Sequence, residues 1–377
     1  MSVIGHARDA APEQALRTIA SEAADLDRAP RFPREAFFHL ADAGVLTATI
    51  GAHRAGSSVR DEWDLLRRVA AADASVGRIL DGHLNAVERL EVAAEPDVCE
   101  RELAAVAASQ RLLGVWGADP GPGEGEPARL REGARGLVLS GTKTFCSGAG
   151  GVDAALVMVG SDGGSAPSLV LLDCGAEVEI DRDWYRAAGL RASESHRVTF
   201  HDTPVTAVLG EPGELARDPW FSRDAMRTAA SWAGMVDAAV AAALEELAER
   251  RADDPLARLA AGRIASMHAT VDAWLERGAT VADTAASDEA TNPLSFVTHR
   301  VTKDRGLDPR ATSIAMRAEI DRAAKAILEV AAAACGSHPF VTGGRLDRAR
   351  RDLETFLLQH RLEPLLARRG GQILESR

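Results

Sequence analysis

The chain keeps two hydrophobic rhythms in turn. From about Ala11 to Leu113, apolar residues return every three to four positions, the period of a helix face. Leu16, Ile19, Ala20 and Ala23 mark one such face. "EAFFHLADAG" follows Pro33, placed as a first-turn proline, and Gly44 closes the segment as a residue just past a helix end would. "DEWDLLRRVAAADASVGRILDGHLNAVERL" continues the helical spacing, with a break expected near Gly82. From Gly114 to about Gly213 the rhythm changes. After the loop "GADPGPGEGEP" come the β-rich runs "GLVLSGTKTF", "DAALVMVG", "PSLVLLD" and "HRVTFHDTPV", separated by Gly, Asp and Pro. Short strands so spaced predict an antiparallel sheet or small barrel rather than βαβ units. From Ser222 onward the helical period returns. Leu256, Leu259, Ile264, Met267, Val271 and Trp274 predict one face, with Arg263 at its edge, and Ile320, Ala324, Ile327, Leu328 and Ala331 predict another. That second run stops at "CGSHPF"; a third begins after "TGGRLD" and contains Leu353, Phe356 and Leu357. The predicted fold is therefore α+β in three parts: an N-terminal helical domain (1–113), a central antiparallel β domain (114–213) and a C-terminal four-helix bundle (214–377).

Composition narrows the functions available. The 377 residues are 46% apolar and 27% charged, and the net charge is 44 − 56 = −12. That acidity argues against a broad nucleic-acid surface. Cys99, Cys146, Cys174 and Cys335 are scattered, with no C-x-x-C and no Cys/His pair at zinc spacing, so no metal site is expected. "MSVIGHARDAAPEQALRTIA" lacks the apolar core of a signal peptide, and no apolar run has the length of a membrane span. The expectation is a cytoplasmic protein that acts on a small molecule, with neither nucleic acid nor membrane as partner.

Four stretches carry candidate chemistry. "SGTK" matches an S-x-x-K nucleophile pattern through Ser140 and Lys143, but it straddles strand and turn, so Lys143 reads as a surface turn residue. "GPGEGE" has no strand before it and no Lys-Ser/Thr after it, so it is neither a P-loop nor a dinucleotide fingerprint; it reads as a mobile loop or one that covers a ligand. Ser193, Glu194, Ser195 and His196 are consecutive, and neighbours on a strand point to opposite faces, so Ser195 and His196 make no dyad. His360 extends the stripe of Leu353, Phe356 and Leu357 and is expected to point inward. Pro364 has no N–H for the His360 carbonyl, so the helix should end or kink there. An inward His beside a helix break lines a pocket or is a hydrogen-bonded core residue.

"FPREAFFHLADAGVL", "AADASVGRILDGH", "LSGTKTFCSGAGGVDAALVMV", "GLRASESHRVTFHDTPVTAVLGEPGE" and "GGRLDRARRDLETF", with its Arg351-Asp352 pair, stand in an order and spacing that resembles the acyl-CoA dehydrogenase superfamily of flavoproteins. The resemblance spans nearly the whole chain. It implies an FAD site in which Phe145, Cys146 and Ser147 match the strand beside the isoalloxazine ring, and Trp116, Gly117 and Ala118 match the segment on the other side of the flavin. Phe supplies an apolar wall there, and Ser or backbone N–H groups supply donors. Many relatives carry a Glu-Gly pair on the final helix, where Glu removes the substrate α-proton; here that position reads His360-Arg361. Others place the base near the start of the bundle, which is Asp224 here. The family's R-x-x-F-G segment is replaced by "AERRADDPLARLAAG". The implied function is FAD-dependent desaturation of an acyl-CoA or carrier-protein thioester, with Asp224 as first candidate base and His360 as second. The alternatives are a monooxygenase fed with reduced flavin by a reductase, in which His360 serves the oxygen transfer, and a non-catalytic partner subunit. The resemblance also implies a homo-oligomer, dimer or tetramer, with an electron-acceptor flavoprotein or flavin reductase as redox partner.

Overall fold

Helix occupies both ends of the chain and strands its middle, as the two rhythms require. The computed structural model describes residues 3–51, 58–160, 166–175, 178–214, 217–291, 308–359 and 361–376, and of 3–11 and 286–291 the backbone alone. The N-terminal helices are α1 (Val3–Arg28), α2 (Arg34–Asp42), α3 (Val59–Ala72), α4 (Ala74–Ala93) and α5 (Pro96–Ala107). The break expected at Gly82 falls at Asp73 instead. Asp73 is extended (φ −151°, ψ 124°), and its Oδ1 accepts the Val76 N–H at 2.9 Å, so its short carboxylate starts α4 while Gly82 lies inside that helix. The chain divides into two compact units. One comprises 1–57, 78–187 and 191–217; the other comprises 58–77, 188–190 and 218–377.

In the first unit α1 buries Ala15, Ile19, Ala23 and Leu26, a face rotated from the expected one, which leaves Leu16 half-buried and Ala20 exposed. Two four-stranded sheets follow. Strands β1 (Leu113–Trp116), β4 (Ala154–Val159), β5 (Ser168–Asp173) and β8 (Ala207–Leu209) form one in the order β1-β4-β5-β8, with β1 parallel to β4 and the other pairs antiparallel. Strands β2 (Arg129–Gly133), β3 (Gly136–Cys146), β7 (His196–Pro204) and β6 (Val178–Asp181) form the other, wholly antiparallel, in the order β2-β3-β7-β6. The aliphatic runs of β4 and β5 are almost continuously buried, whereas β2 and β6 are short and charged.

His83 on α4 belongs to this unit's core and is fully buried. Its Nε2–H donates to the Leu46 carbonyl at 3.0 Å, and its Nδ1 accepts the Leu113 N–H at 3.2 Å. Burial pushes its pKa from 6.5 down to about 4, against a smaller opposing pull from the Leu46 carbonyl. The folded protein therefore holds the neutral ring. That stabilisation is complete above pH 6.5 and is lost as pH falls toward 4, by about 3 kcal/mol in all. Urea unfolding at pH 7 and pH 4.5 measures this, and a His83→Gln variant should show a flatter pH dependence. Equal slopes for the two proteins would remove His83 from the explanation.

The second unit packs α3 with α6 (Trp220–Arg251), α7 (Pro255–Thr291), α8 (Pro309–Cys335) and α10 (Arg345–Leu357), while α9 (His338–Val341) and α11 (Glu363–Glu375) flank α10 in sequence. Its core includes Trp232, Ile264, Ile320, Ile327 and Phe356. Helix α6 is rich in Ala, and its one glycine, Gly234, lets α3 come close. A Cβ at Gly234 would lie 2.1 Å from the Arg67 carbonyl oxygen, so only Gly fits. The predicted faces of α8 and α10 are buried as expected. Helix α7 differs: Ala257, Ala260, Ile264 and Val271 face inward, while Leu256 and Leu259 are exposed. Helix α10 ends at Leu357, and Pro364 sits in the first turn of α11, the position a proline tolerates. His360 lies outside the described residues.

The Arg351-Asp352 pair of the family resemblance acts as a backbone clamp. Asp352 Oδ1 accepts the Leu190 N–H at 2.6 Å, Thr355 Oγ1 accepts the Gly189 N–H at 3.1 Å, and Arg351 Nη1 donates to the Ala188 carbonyl at 2.7 Å. Leu190 is buried with φ at +53°, so the clamp holds a strained residue. Asp352→Ala should cost about 1–3 kcal/mol by leaving that N–H unpaired. Chemical denaturation reads the loss, and an unchanged midpoint would show that Asp352 does not hold the segment. Among the described residues no helix is long and apolar enough to cross a membrane.

Candidate functional site

In the first unit, β1 and the end of β3 bring the six sequence-predicted cofactor residues together, but they do not all face outward. Trp116 ends β1, is fully buried, and donates its indole N–H to the Ser147 carbonyl at 3.1 Å. Cys146 is fully buried, its Sγ–H directed at the Thr144 carbonyl at 3.8 Å, and burial pushes its thiol well above the usual range, which removes it as a nucleophile. Ser147 is buried too, and its hydroxyl is 2.9 Å from that of Ser195, which lies 2.8 Å from that of Ser193. This chain of three hydroxyls locks the turn after β3 to the segment before β7.

Gly117, Ala118 and Phe145 form the outer surface. Gly117 and Ala118 are exposed, with open space where a Gly117 Cβ would stand. Phe145 is 51% exposed and has φ at +52°, a conformation bulky side chains rarely adopt. Its ring meets Trp184 edge-on, with centroids 4.9 Å apart and planes at 78°.

Beneath this surface lies Lys143, predicted as a surface residue. It is 1% exposed and reaches Asp119 Oδ1 at 2.8 Å and the Gly117 carbonyl at 3.2 Å, so it ties β3 to the chain leaving β1. An aliphatic stem buried with a paired ammonium explains the placement. Ser140 instead donates to Asp202, so the S-x-x-K residues do not work as a pair. The "GPGEGE" loop is anchored through Glu124. Gly125, at φ +127°, has its backbone against Thr142, where a Cβ would sit 2.6 Å from Oγ1.

Ser195 and His196 make no dyad, as expected: Ser195 bonds to the two other serines. His196 is buried in contact with Tyr185, and neither ring nitrogen has a hydrogen-bond partner among the described residues. Its Nε2 stands 3.8 Å from Glu194 Oε2, which Arg182 holds at 2.9 Å. Burial pushes the Glu194 carboxyl up, but His196 and Arg182 outweigh it and hold the group below its ordinary value. Among the described residues no group of three or more His, Cys, Asp or Glu is placed to hold a metal ion.

In the second unit, Asp224 sits in the second turn of α6. Its Oδ1 accepts from Arg227 Nη1 at 2.9 Å. Arg227 is fully buried, and its Nε donates to Glu62 on α3. Asp224 is thus one arm of a Glu62–Arg227–Asp224 bridge. Helical periodicity carried no signal for this bridge, because Glu62 lies 165 positions from Arg227.

This architecture of helices, two small sheets and a C-terminal helical domain is that of the acyl-CoA dehydrogenase fold. The chain is similar over 99% of its length to FMN-bound TdsC, the dibenzothiophene monooxygenase of Paenibacillus sp. A11-2, with a TM-score of 0.83, 98% of that chain covered and 20% identity. It is similar over its whole length to methanesulfinate monooxygenase MsuC of Pseudomonas fluorescens, with a TM-score of 0.79, 98% covered and 19% identity. By sequence it is 30% identical over 159 residues to dibenzothiophene monooxygenase of Rhodococcus erythropolis, which is 40% of this chain. The match spans 38% of that relative's length. No family profile matches the chain.

Proposed function

We propose that this chain is a monooxygenase that uses reduced FMN and oxidises a small heteroaromatic or sulfur-containing molecule. The observation that carries this reading is that a sequence relative and two whole-chain fold neighbours share one reaction class, monooxygenation. The thioester dehydrogenase is the weaker reading, because the final-helix Glu-Gly is replaced by His360-Arg361. FMN replaces FAD because the fold neighbour TdsC binds FMN. The surface built by Gly117, Ala118 and Phe145 fits a flavin, being exposed, partly aromatic and backed by a locked turn.

A bound reduced flavin supplies the two electrons with which dioxygen gives one oxygen atom to the substrate and the other to water. The chain's own residues shape that event. Phe145 and the Gly117–Ala118 edge would shield one side of a bound flavin from water, with Trp116 and Ser147 holding that wall from behind. His360 is assigned the delivery of a proton to the oxygen that leaves as water. Asp224, engaged by Arg227, is assigned to the bridge with Glu62 rather than to proton abstraction.

The test supplies photoreduced FMN, dibenzothiophene and 18O2 to the purified chain. The expected product carries one 18O on sulfur. Unlabelled product, or no product together with desaturation of an acyl thioester, would reject the reading. His360→Ala should lower oxygenation about 100-fold or more while leaving reduced-FMN affinity unchanged.

A further inference from the structure

The geometry points to Trp184 as a positioning residue: its indole, tied to Glu124, fixes the exposed Phe145 ring as a rigid wall for the flavin. The inference deepens the flavin reading above and rests on it. Half of the Phe145 surface faces solvent, and its backbone is in the left-handed region, a strained conformation for a bulky residue. An aromatic ring so placed keeps one orientation only if something braces its side. Trp184 supplies the brace through an edge-on contact at 4.9 Å.

Trp184 is in turn held from two directions. Its Nε1–H donates to Glu124 Oε1 at 3.0 Å, and Glu124 Oε2 accepts the Gly121 N–H at 2.8 Å. These two donors hold the Glu124 carboxyl below the usual carboxylate range. Arg197 joins the two backbone segments that carry this pair: Nη1 donates to the Glu124 carbonyl at 3.2 Å, and Nη2 pairs with Asp181 at 2.6 Å. Asp181 also accepts the Asp183 N–H at 3.1 Å, which shapes the turn that presents Trp184. The glycine-rich loop is therefore a strut. Its one carboxylate with an indole partner decides where Trp184 stands, and Trp184 decides where Phe145 stands.

A merely structural Trp184 would affect melting and leave flavin binding alone, so the experiment reads both. Trp184→Ala, Trp184→Phe, Glu124→Ala and Glu124→Gln are titrated under argon with FMN reduced by dithionite, and the visible circular dichroism of bound FMN is recorded. Trp184→Ala should weaken binding about tenfold and alter the dichroism, with melting close to wild type. Glu124→Ala should weaken it about threefold, whereas Glu124→Gln, whose single amide oxygen can accept from the indole N–H or the Gly121 N–H but not both, should fall between Glu124→Ala and wild type. Trp184→Phe should fall between. If wild type binds FMN and the Trp184 variants bind within twofold with unchanged dichroism, the positioning role is wrong and the flavin reading stands. If wild type binds no reduced FMN, the flavin reading itself fails and takes this role with it. Should Trp184→Ala fail to fold, the Trp184→Phe and Glu124→Ala pair decides.

Discussion

Arg227→Met should destabilise the second unit by about 3–5 kcal/mol. Arg227 has no exposed surface and stands between two carboxylates, Glu62 and Asp224. The Glu62 side chain is only 9% exposed, so losing its partner leaves a carboxylate in a medium that solvates it poorly. Glu62 also lies 3.6 Å from Arg223, which softens the loss without removing it. Arg317 on α8 supplies the control. It is buried as well, but its Nε donates only to the Ser313 carbonyl at 3.3 Å, and no carboxylate pairs with it among the described residues. Burial alone pushes its pKa down to about 10. Arg317→Met therefore removes a desolvated cation and strands no anion, so stability should hold or rise. Urea denaturation of both variants decides: similar losses would mean that side-chain volume, rather than charge pairing, sets the cost.

Trp116→Ala should cost the first unit about 3–5 kcal/mol, the range for truncating a buried aromatic. The ring is fully buried near Phe200, and truncation also removes the donor to the Ser147 carbonyl. Trp116→Phe keeps most of the volume and should cost about 1 kcal/mol for the lost hydrogen bond. Because the Trp116 side chain does not reach the surface, Trp116→Phe should leave FMN affinity at wild-type level, while Phe145→Ala should lower it. A large affinity loss in Trp116→Phe would show that the indole contacts the cofactor directly.

Where one apolar period ran over large side chains, the sequence was enough. The α8 face from Ile320 to Ala331, the α10 face at Leu353, Phe356 and Leu357, and strands β3, β4, β5 and β7 all stand where the pattern put them. The pattern misled where small residues make the closest contacts. On α7 the helix buries Ala257 and Ala260 and leaves Leu256 and Leu259 outside, because helix approach there selects Ala over Leu. Strands β2 and β6 carry too much charge to announce themselves, and β1 and β8 are too short. Gly82 looked like a break because glycine is a weak helix former, but the capping carboxylate of Asp73 decided the matter. His83 could have been noticed among Ile79, Leu80, Leu84 and Val87, an inward histidine on an apolar stripe.

The candidate site was legible as a neighbourhood and not as an orientation. The resemblance brought Trp116–Ala118 and Phe145–Ser147 to attention, but which of them faces outward depends on partners far away in sequence. Lys143 is buried because Asp119, 24 positions earlier, receives its ammonium, and Trp184 is fixed by Glu124, 60 positions earlier. No local spacing encodes such pairs.

The most direct measurement is an anaerobic titration of the purified chain with reduced FMN, followed by admission of oxygen and, separately, of an acyl thioester to the oxidised form. The expected result is a colourless chain that binds reduced FMN, consumes oxygen and is indifferent to the thioester. A yellow chain that retains FAD and is bleached by the thioester would contradict it.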